Sequence, residues 1–103
     1  MMEIKKPLTK GFTIYSKSEC SFCFKVHHLL QEHNFVFEEI CCDEYLLDDE
    51  KKQYFLSFIK DQAQREYRTF PMVFYNGFFI GGFTDTDLLV NKTLLRFDDN
   101  TFF

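Results

Sequence analysis

The sequence predicts an α/β domain in which a small mixed sheet carries helices on its faces. Apolar runs of strand length alternate with segments of helical periodicity along the 103 residues, an order typical of parallel strands joined by crossover helices. Asn76-Gly77 separates two short apolar runs and predicts a type I′ hairpin turn, which makes its flanking strands antiparallel. A sheet with both kinds of pair is mixed. We expect one domain over residues 1–103, with a core from about 11 to 91 and a tail over 92–103.

The first two predicted elements are a strand and a helix. Phe12 to Tyr15 is a short apolar run typical of a buried strand. Apolar residues then recur at helical spacing, at Phe22, Val26, Leu29 and Leu30. The first cysteine of Cys20-Ser21-Phe22-Cys23 is therefore expected at the N-terminus of this helix.

A turn predicted at His33-Asn34 leads to the second strand, and the second helix follows. Phe35 to Ile40 predicts the strand, and Asp48-Asp49-Glu50 supplies cap candidates and negative charge for the start of the helix. The buried face of this helix is expected to consist of four apolar residues: Tyr54, Phe55, Phe58 and Ile59. Cys41 and Cys42 end the strand and should point to opposite faces of the sheet, one into the core and one outward.

The last part of the chain predicts a hairpin and a short helix. Residues 69–75 predict a turn that leads into a strand, and Phe78 to Ile80 returns after the Asn76-Gly77 turn. Thr84-x-x-Asp87 resembles a capping box with Asp in place of Glu and predicts the last helix. Leu94 to Phe103 predicts either a frayed helix or a tail. The resulting order, β-α-β-α-β-β-α, is that of the thioredoxin fold.

Charge and composition argue against several classes of function. The net charge is −4 and no basic cluster is present, so nucleic acid is not the expected partner. The N-terminal residues are polar and no stretch approaches the roughly 18 apolar residues of a membrane span, so we expect no signal peptide and no membrane association. Four cysteines in such a chain favour a reducing compartment, and we expect a cytoplasmic protein.

The Cys-x-x-Cys stretch carries the predicted chemistry. The unpaired N–H groups and positive dipole end of a helix favour the thiolate of Cys20, and the ammonium of Lys17 acts in the same direction. The carboxylate of Glu19 acts against it. Cys23 lies one helical turn deeper, and a more buried thiol suits the resolution of a mixed disulfide. The sequence thus predicts thiol–disulfide exchange.

Zinc binding is an alternative interpretation of the same pair. His27 shares a helix face with Cys23 at i+4, but a conventional structural zinc site has four ligands, often as two separated pairs. Cys41 and Cys42 are adjacent in sequence, so an all-cysteine zinc site is not expected. His27, His28 and His33 are expected on the exposed or flanking face of the first helix, without a catalytic role.

Three separated motifs resemble those of the glutaredoxin family, over a region from about Phe12 to Leu89. Lys17-x-x-Cys20-Ser21-Phe22-Cys23 resembles the family's Lys-x-x-Cys-Pro-Tyr-Cys. Arg68-Thr69-Phe70-Pro71 resembles its Thr-Val-Pro segment with a preceding basic residue, and Gly81-Gly82-Phe83-Thr84-Asp85 resembles its Gly-Gly-x-x-Asp. Ser21 stands where the family most often has proline, and Phe22 stands where it most often has tyrosine. Phe70 stands where it most often has valine.

The resemblance implies a glutathione-dependent thiol–disulfide oxidoreductase with Cys20 as nucleophile and Cys23 as resolving cysteine. It also implies a cis peptide bond before Pro71, which turns the backbone of the preceding residue toward the substrate. The residues implied in glutathione binding are Lys17, Phe22, Arg68, Thr69, Phe70, Pro71, Gly82, Phe83, Thr84 and Asp85. Among them, the start of the last helix and Asp85 would hold the γ-glutamyl end, and Lys17 with Arg68 would receive the glycyl carboxylate.

Two alternatives within this interpretation remain open. Some family members with serine after the first cysteine bridge a [2Fe–2S] cluster between two subunits, and Cys20 with glutathione would supply the ligands. A thioredoxin-like electron donor, reduced by a flavoenzyme, is the second alternative. The expected partners are glutathione and disulfide-containing or glutathionylated proteins, ribonucleotide reductase among them by resemblance, and the expected state is a monomer.

Overall fold

The computed structural model describes residues 2–95 as one four-stranded sheet with helices on both faces. The regular elements are β1 (Phe12–Ser16), α1 (Ser21–Glu32), β2 (Phe37–Cys41), α2 (Asp49–Ala63), β3 (Met72–Tyr75), β4 (Phe78–Gly81) and α3 (Phe83–Leu89). A short 3₁₀ turn, Asp43–Leu46, precedes α2, and a π-helical turn, Val90–Leu94, continues α3. The predicted element order is confirmed.

The sheet has the order β2-β1-β3-β4 and is mixed, as predicted. β1 pairs with β2 in parallel, while the β1–β3 and β3–β4 pairs are antiparallel. The central strand β1 is buried along its whole length, because both neighbours and both helical layers cover it. Asn76 and Gly77 have φ of 52° and 86°, the positive values that a type I′ turn requires, so the predicted hairpin turn is present.

The register brings several chain ends to one edge of the sheet. Ser16, at the end of β1, pairs with Cys41, at the end of β2. Tyr15 pairs with Met72, the first residue of β3, so Pro71 enters the sheet at this same edge. β4 ends there too, because its last residue, Gly81, pairs with residue 73 of β3. We call this the site edge, since α1 and α3 both begin from it.

Side chains alternate between two buried clusters, one on each face of the sheet. The cluster under α2 includes Tyr15, Phe55, Ile59, Met72 and Phe74. The cluster under α1 and α3 includes Phe12, Ile14, Val26, Leu30, Val73 and Val90. Full burial of a side chain of this size stabilises the fold by about 1.5–3 kcal/mol. Most phenylalanines of residues 2–95 lie in these two layers or pack against them.

Two sequence expectations about the middle of the chain differ from the structure. Tyr54 is 42% exposed, whereas Phe55 and Ile59 are buried, because the i, i+4 pair sets the inner face of α2 and Tyr54 is rotated away from it. The strand β2 begins at Phe37 instead of Phe35, because the Phe35 N–H still bonds the Leu30 carbonyl at the end of α1. The left-handed Asn34, with φ of 62°, confirms the predicted turn after α1.

The second cysteine pair behaves as predicted. Cys41 is exposed, while Cys42 is fully buried in the cluster under α2. Burial raises the pKa of the Cys42 thiol to about 12, so this thiol stays protonated near neutral pH.

The start of α3 differs from the predicted capping box. Gly82 is the N-cap, and the carboxylate Oδ2 of Asp85 accepts a hydrogen bond from its N–H at 3.3 Å. The predicted Thr84–Asp87 box is therefore wrong, because the helix begins directly after β4 and the residue three beyond the cap is Asp85.

The helical segment extends past the predicted start of the tail at residue 92, since the π-helical turn runs to Leu94. The rest of the predicted tail, residues 96–103, lies outside the described residues. Within residues 2–95, the helices are too short and too polar to cross a membrane.

Candidate active site

Cys20 lies at the N-cap of α1, where the sequence predicted it. Its Sγ accepts a hydrogen bond from the Cys23 N–H at 3.2 Å, one of the donors that a helix start leaves without an intrahelical partner. Cys20 and Cys23 form a disulfide, with 5.3 Å between their Cα atoms. Cys20 is half-buried, whereas Cys23 is 2% exposed. The pair thus has one accessible sulfur and one buried sulfur.

The N-terminal end of α1 favours negative charge on the Cys20 sulfur. The first turn of α1 contains no acidic residue, so nothing within the helix offsets its positive N-terminal end. Lys17 and Glu19 both line the groove beside Cys20, as opposite charges at its rim. Glu19 has φ of 53°, a left-handed conformation in the turn that delivers Cys20 to the helix.

Asp43 fixes the loop between β1 and α1. Its Oδ1 accepts a hydrogen bond from the Ser18 N–H at 3.0 Å. Hydrogen bonds from the backbone and side chain of Ser18 lower the pKa of the Asp43 carboxyl, with a smaller contribution from the charge of Lys17. The sequence analysis missed this residue, because the contact joins positions 25 apart and has no local signature.

The groove at Cys20 contains a contact between a histidine and a carboxylate that the sequence alone does not reveal. Nδ1 of His27 lies 2.7 Å from Oε1 of Glu39, and both side chains are about one-third exposed, at 34% and 31%. His27 therefore lies on the flank of α1, as expected, and it lines the same groove as Cys20 and Cys23. Its i+4 spacing from Cys23 was visible in the sequence; the approach of β2 was not.

The peptide bond between Phe70 and Pro71 is cis, as predicted. Pro71 is buried at the site edge, immediately before β3. The ring of Phe70 stacks on Phe55 of α2, with centroids 5.9 Å apart and planes within 6°. The phenyl ring therefore packs toward α2, and the backbone N–H and C=O of Phe70 remain at the site edge.

Gly82 lies close to two other segments at the site edge. A Cβ at this position would lie 3.1 Å from the hydroxyl of Tyr67 and 3.7 Å from the carbonyl oxygen of Pro71. Only glycine leaves this approach open without displacement of a neighbour. Tyr67, whose ring packs on Phe79 at 4.8 Å, is thus a site residue that the sequence analysis did not identify.

An aromatic pair joins the starts of α1 and α3. The rings of Phe22 and Phe83 have centroids 6.1 Å apart, and Phe22 remains 52% exposed. The ammonium of Lys25 lies 5.0 Å from the Phe22 centroid and 5.8 Å from the Phe83 centroid. Two predicted binding residues that are 61 positions apart in the sequence are therefore adjacent in the fold.

Lys17 and Arg68, the two basic residues predicted to bind glutathione, line different depressions of the surface. Lys17 lines the groove with Cys20. Arg68 is exposed, lies 4.0 Å from a carboxylate oxygen of Glu66, and lines a second depression with Lys60 and Tyr67. Thr69 is exposed between this depression and Pro71. The side chain of Arg68 is thus not among the described residues that line the Cys20 groove.

Within residues 2–95, no three His, Cys, Asp or Glu side chains form a group suited to a metal ion. In the disulfide form both sulfurs of the Cys-x-x-Cys motif are bonded to each other, so neither is a thiolate ligand in this state.

Comparison with known proteins finds relatives that share this fold. The glutaredoxin family model matches residues 12–80. Glutaredoxin 1 of Rickettsia felis is 29% identical over 79 residues, which cover 77% of this chain and 71% of the relative. A wheat glutaredoxin crystal structure is 30% identical with a TM-score of 0.64, covering 84% of this chain and 74% of the other. A buckwheat glutaredoxin–glutathione complex, at 21% identity and a TM-score of 0.63, covers 82% of this chain and 73% of that one and shows the fold.

Proposed function

Because the chain belongs to the glutaredoxin family and is a thiol–disulfide oxidoreductase with a Cys20–Cys23 pair, we propose that it uses glutathione as its reductant. The observation that carries this proposal is the asymmetry of the pair. Cys20 is the accessible sulfur at a helix N-terminus, and Cys23 is buried one turn deeper. The reduction potentials typical of glutaredoxins, about −200 to −230 mV, allow electron exchange with the glutathione pool.

The first reaction is removal of glutathione from a glutathionylated protein. The Cys20 thiolate attacks the glutathione sulfur, the protein sulfur leaves as a thiolate that takes a proton from solvent, and glutathione is now bonded to Cys20. A second glutathione thiolate then attacks this bond. Cys20 leaves as a thiolate and oxidised glutathione is released. One free glutathione is consumed in each cycle: its sulfur is oxidised, the protein sulfur is reduced, and the first glutathionyl sulfur stays in a disulfide throughout. Only Cys20 is needed in this route.

The second reaction is reduction of a protein disulfide. The Cys20 thiolate forms a mixed disulfide with one client sulfur and releases the other. Cys23 then attacks the sulfur of Cys20, the client leaves fully reduced, and the enzyme retains the Cys20–Cys23 disulfide seen in this structure. Two glutathione molecules reduce that disulfide. This route requires both cysteines.

The site edge supports glutathione as the ligand because it offers complementary groups around Cys20. The backbone of Phe70 beside cis-Pro71 can pair with an extended peptide. Unpaired N–H groups at Phe83 and Thr84 suit a carboxylate, and Asp85 can accept from an ammonium while one oxygen caps the helix. The buckwheat relative was crystallised with glutathione, which agrees with this assignment.

The remaining proposed contacts lie at the other end of the ligand. Lys17 in the groove is proposed to receive the glycyl carboxylate. The exposed Phe22 and the partly buried Phe83 beside it are proposed to flank the tripeptide. Arg68 would need a different rotamer to take part, since its guanidinium now lies beside Glu66. Disulfide-containing or glutathionylated proteins in a reducing compartment such as the cytoplasm are the proposed clients.

The test is glutathione-dependent reduction of a small mixed disulfide, coupled to glutathione reductase, for the wild type, Cys20→Ser and Cys23→Ser. Loss of turnover in Cys20→Ser and its retention in Cys23→Ser is the expected result, because the first route needs Cys20 alone. Protein purified without oxygen is scanned in parallel for iron–sulfur absorbance. Absence of turnover in the wild type, together with such absorbance, would refute the proposal and favour a [2Fe–2S] carrier.

A further inference from the structure

We propose that His27, held by Glu39, accepts the proton of the Cys23 thiol when Cys23 resolves a mixed disulfide on Cys20. This inference rests on the proposed role of Cys23 as resolving cysteine and adds a residue to it. The attack requires a Cys23 thiolate, but Cys23 is buried, and burial favours the neutral thiol. Resolution therefore needs a nearby base, and His27 is the histidine among the described residues that line the groove with Cys20 and Cys23.

The helix geometry directs His27 toward Cys23. The two residues are four apart in α1, so they lie on the same face one turn from each other. Side chains of a helix lean back toward its N-terminus, which is the direction of Cys23 from His27. His27 and Cys23 both line the groove beside Cys20.

Two residues of β2 fix the orientation of the imidazole. Nδ1 of His27 lies 2.7 Å from the Glu39 carboxylate, and a carboxylate only accepts, so Nδ1 carries the hydrogen of this bond. In the neutral ring, Nε2 is then the nitrogen with an available lone pair. Phe37 packs against the ring at 5.1 Å between centroids and 83° between planes, which limits its rotation. The ring is thus fixed in the tautomer that can act as a base.

The charges around the imidazole agree with this role. Glu39 stabilises the positive charge that develops on the ring when it takes a proton. Lys17 and Glu19, from the loop before α1, line the same groove with opposite charges, and His28 is the neighbouring ring on α1, at 6.2 Å between centroids. Phe37 contributes no charge. The negative partner nearest to His27 is therefore Glu39.

The step conserves atoms and electrons. In a mixed disulfide on Cys20, the proton of the Cys23 thiol moves to Nε2 of His27 while the Cys23 sulfur bonds to the Cys20 sulfur. The bond between Cys20 and the client breaks, and the client sulfur leaves with the electron pair as a thiolate. That thiolate is protonated from solvent, and the imidazolium returns its proton to solvent. The client is reduced and the enzyme pair is oxidised.

The test follows two phases after reduced protein meets one equivalent of dithiobis(nitrobenzoate). Attack by Cys20 releases the first thionitrobenzoate, and intramolecular resolution by Cys23 releases the second. All variants carry Cys41→Ser, because Cys41 is an exposed thiol that would also react. Cys23→Ser identifies the second phase by abolishing it. Stopped-flow absorbance measures both phases across a pH series.

We expect His27→Gln to slow the second phase by roughly 10²-fold near neutral pH, the lower end of the usual contribution of a general base. The pH profile of that rate should also differ from that of the wild type, while the first phase stays unchanged. Glu39→Gln keeps an oxygen that accepts from Nδ1 but removes the charge, so it should slow the second phase less. His28→Gln is the matched control and should leave both phases as in the wild type.

A His27→Gln second phase with the rate and pH profile of the wild type would overturn the inference. So would equal slowing by His28→Gln, equal slowing of both phases, or a wild type without a second phase. Because no glutathione enters this experiment, its outcome is separate from the glutathione-reductase assay. Absence of turnover in the glutathione-reductase assay would refute glutathione dependence. The two-phase reaction with dithiobis(nitrobenzoate) would still decide the role of His27.

Discussion

Replacement of Phe55 tests how far the core under α2 supports the site. Phe55 is completely buried, and its ring contacts three others: Tyr45 at 5.6 Å, Phe70 at 5.9 Å and Tyr15 at 6.3 Å between centroids. The Tyr45–Phe55–Phe70 series is a stack of nearly parallel rings, with interplanar angles of 19° and 6°. We call these three residues the ring stack. It extends from the 3₁₀ turn before α2 to the residue before cis-Pro71.

The expected loss of stability follows from these contacts. Truncation of a buried phenylalanine to alanine costs about 3–5 kcal/mol. Aromatic pairs add about 0.5–1.5 kcal/mol each to simple burial, so a ring with three partners lies in the upper part of that range. The free energy of unfolding of a whole domain is about 5–15 kcal/mol. We therefore expect Phe55→Ala to retain little stability.

Phe55→Leu gives a milder perturbation of the same stack. It keeps an apolar side chain but loses the three aromatic contacts, so it should cost about 1.5–3 kcal/mol, less than the alanine variant. This lowers the midpoint of thermal unfolding by roughly 6–24 °C for a domain of this size. Because Phe70 loses its stacking partner, its backbone should be held less firmly, and the KM for glutathione should rise while kcat changes less.

The measurements are urea unfolding of each variant in one fixed redox state, and steady-state kinetics of Phe55→Leu. Tyr54→Ala is the matched control, because its side chain is 42% exposed on the adjacent position of α2. It should change stability by no more than about 0.5 kcal/mol. If Phe55→Ala is as stable as Tyr54→Ala, the ring stack does not support the core. If Phe55→Leu leaves the KM unchanged, the stack does not position Phe70.

Three further outcomes are expected. The pKa of Asp43 is lowered in the folded protein, so its ionised carboxyl contributes to stability above about pH 4. That contribution is lost as the pH falls through the pKa of Asp43 in the folded state, and Asp43→Asn should remove this loss in urea titrations at acid pH. Gly82→Ala places a Cβ 3.1 Å from the Tyr67 hydroxyl, so the KM for glutathione should rise, and Tyr67→Phe should partly restore it if this contact is the cause. Burial and a pKa of about 12 should protect Cys42 from iodoacetamide near neutral pH, while the exposed Cys41 reacts. Peptide mass spectrometry of the reduced Cys20→Ser/Cys23→Ser variant measures the labelling, and equal labelling of the two cysteines would contradict the assignment.

The features that the sequence predicted correctly depend on short-range rules. The helix start at Cys20, the positive φ at Asn76-Gly77 and the opposite faces of Cys41 and Cys42 all follow from spacing over two to four residues. The burial of Tyr54 was predicted wrongly because several phase angles of a helix fit an aromatic-rich segment, and packing on the sheet selects one of them.

The site residues that the sequence did not reveal depend on contacts between distant segments. Glu39 reaches His27 across 12 positions, and Asp43 reaches the loop before α1 across 25. Tyr67 reaches Gly82 only because the segment before cis-Pro71 and the start of α3 meet at the site edge. Such approaches are set by strand register and helix packing, and a single sequence carries no local pattern for them.

The two faces of the sheet contribute differently to the proposed reaction. The α1 face carries the thiol chemistry, since Cys20, Cys23 and His27 all belong to one helix and its cap. The α2 face supports Phe70, whose backbone is proposed to pair with the substrate, because the ring stack ends at that residue. The buried strand β1 separates them, and the two groups meet only at the site edge. Changes in the ring stack should therefore act on the KM for glutathione, whereas changes at His27 should act on the rate of resolution by Cys23. In a double variant of Phe55→Leu with His27→Gln, the effects of the two single variants on the KM and on the resolution rate should be nearly additive.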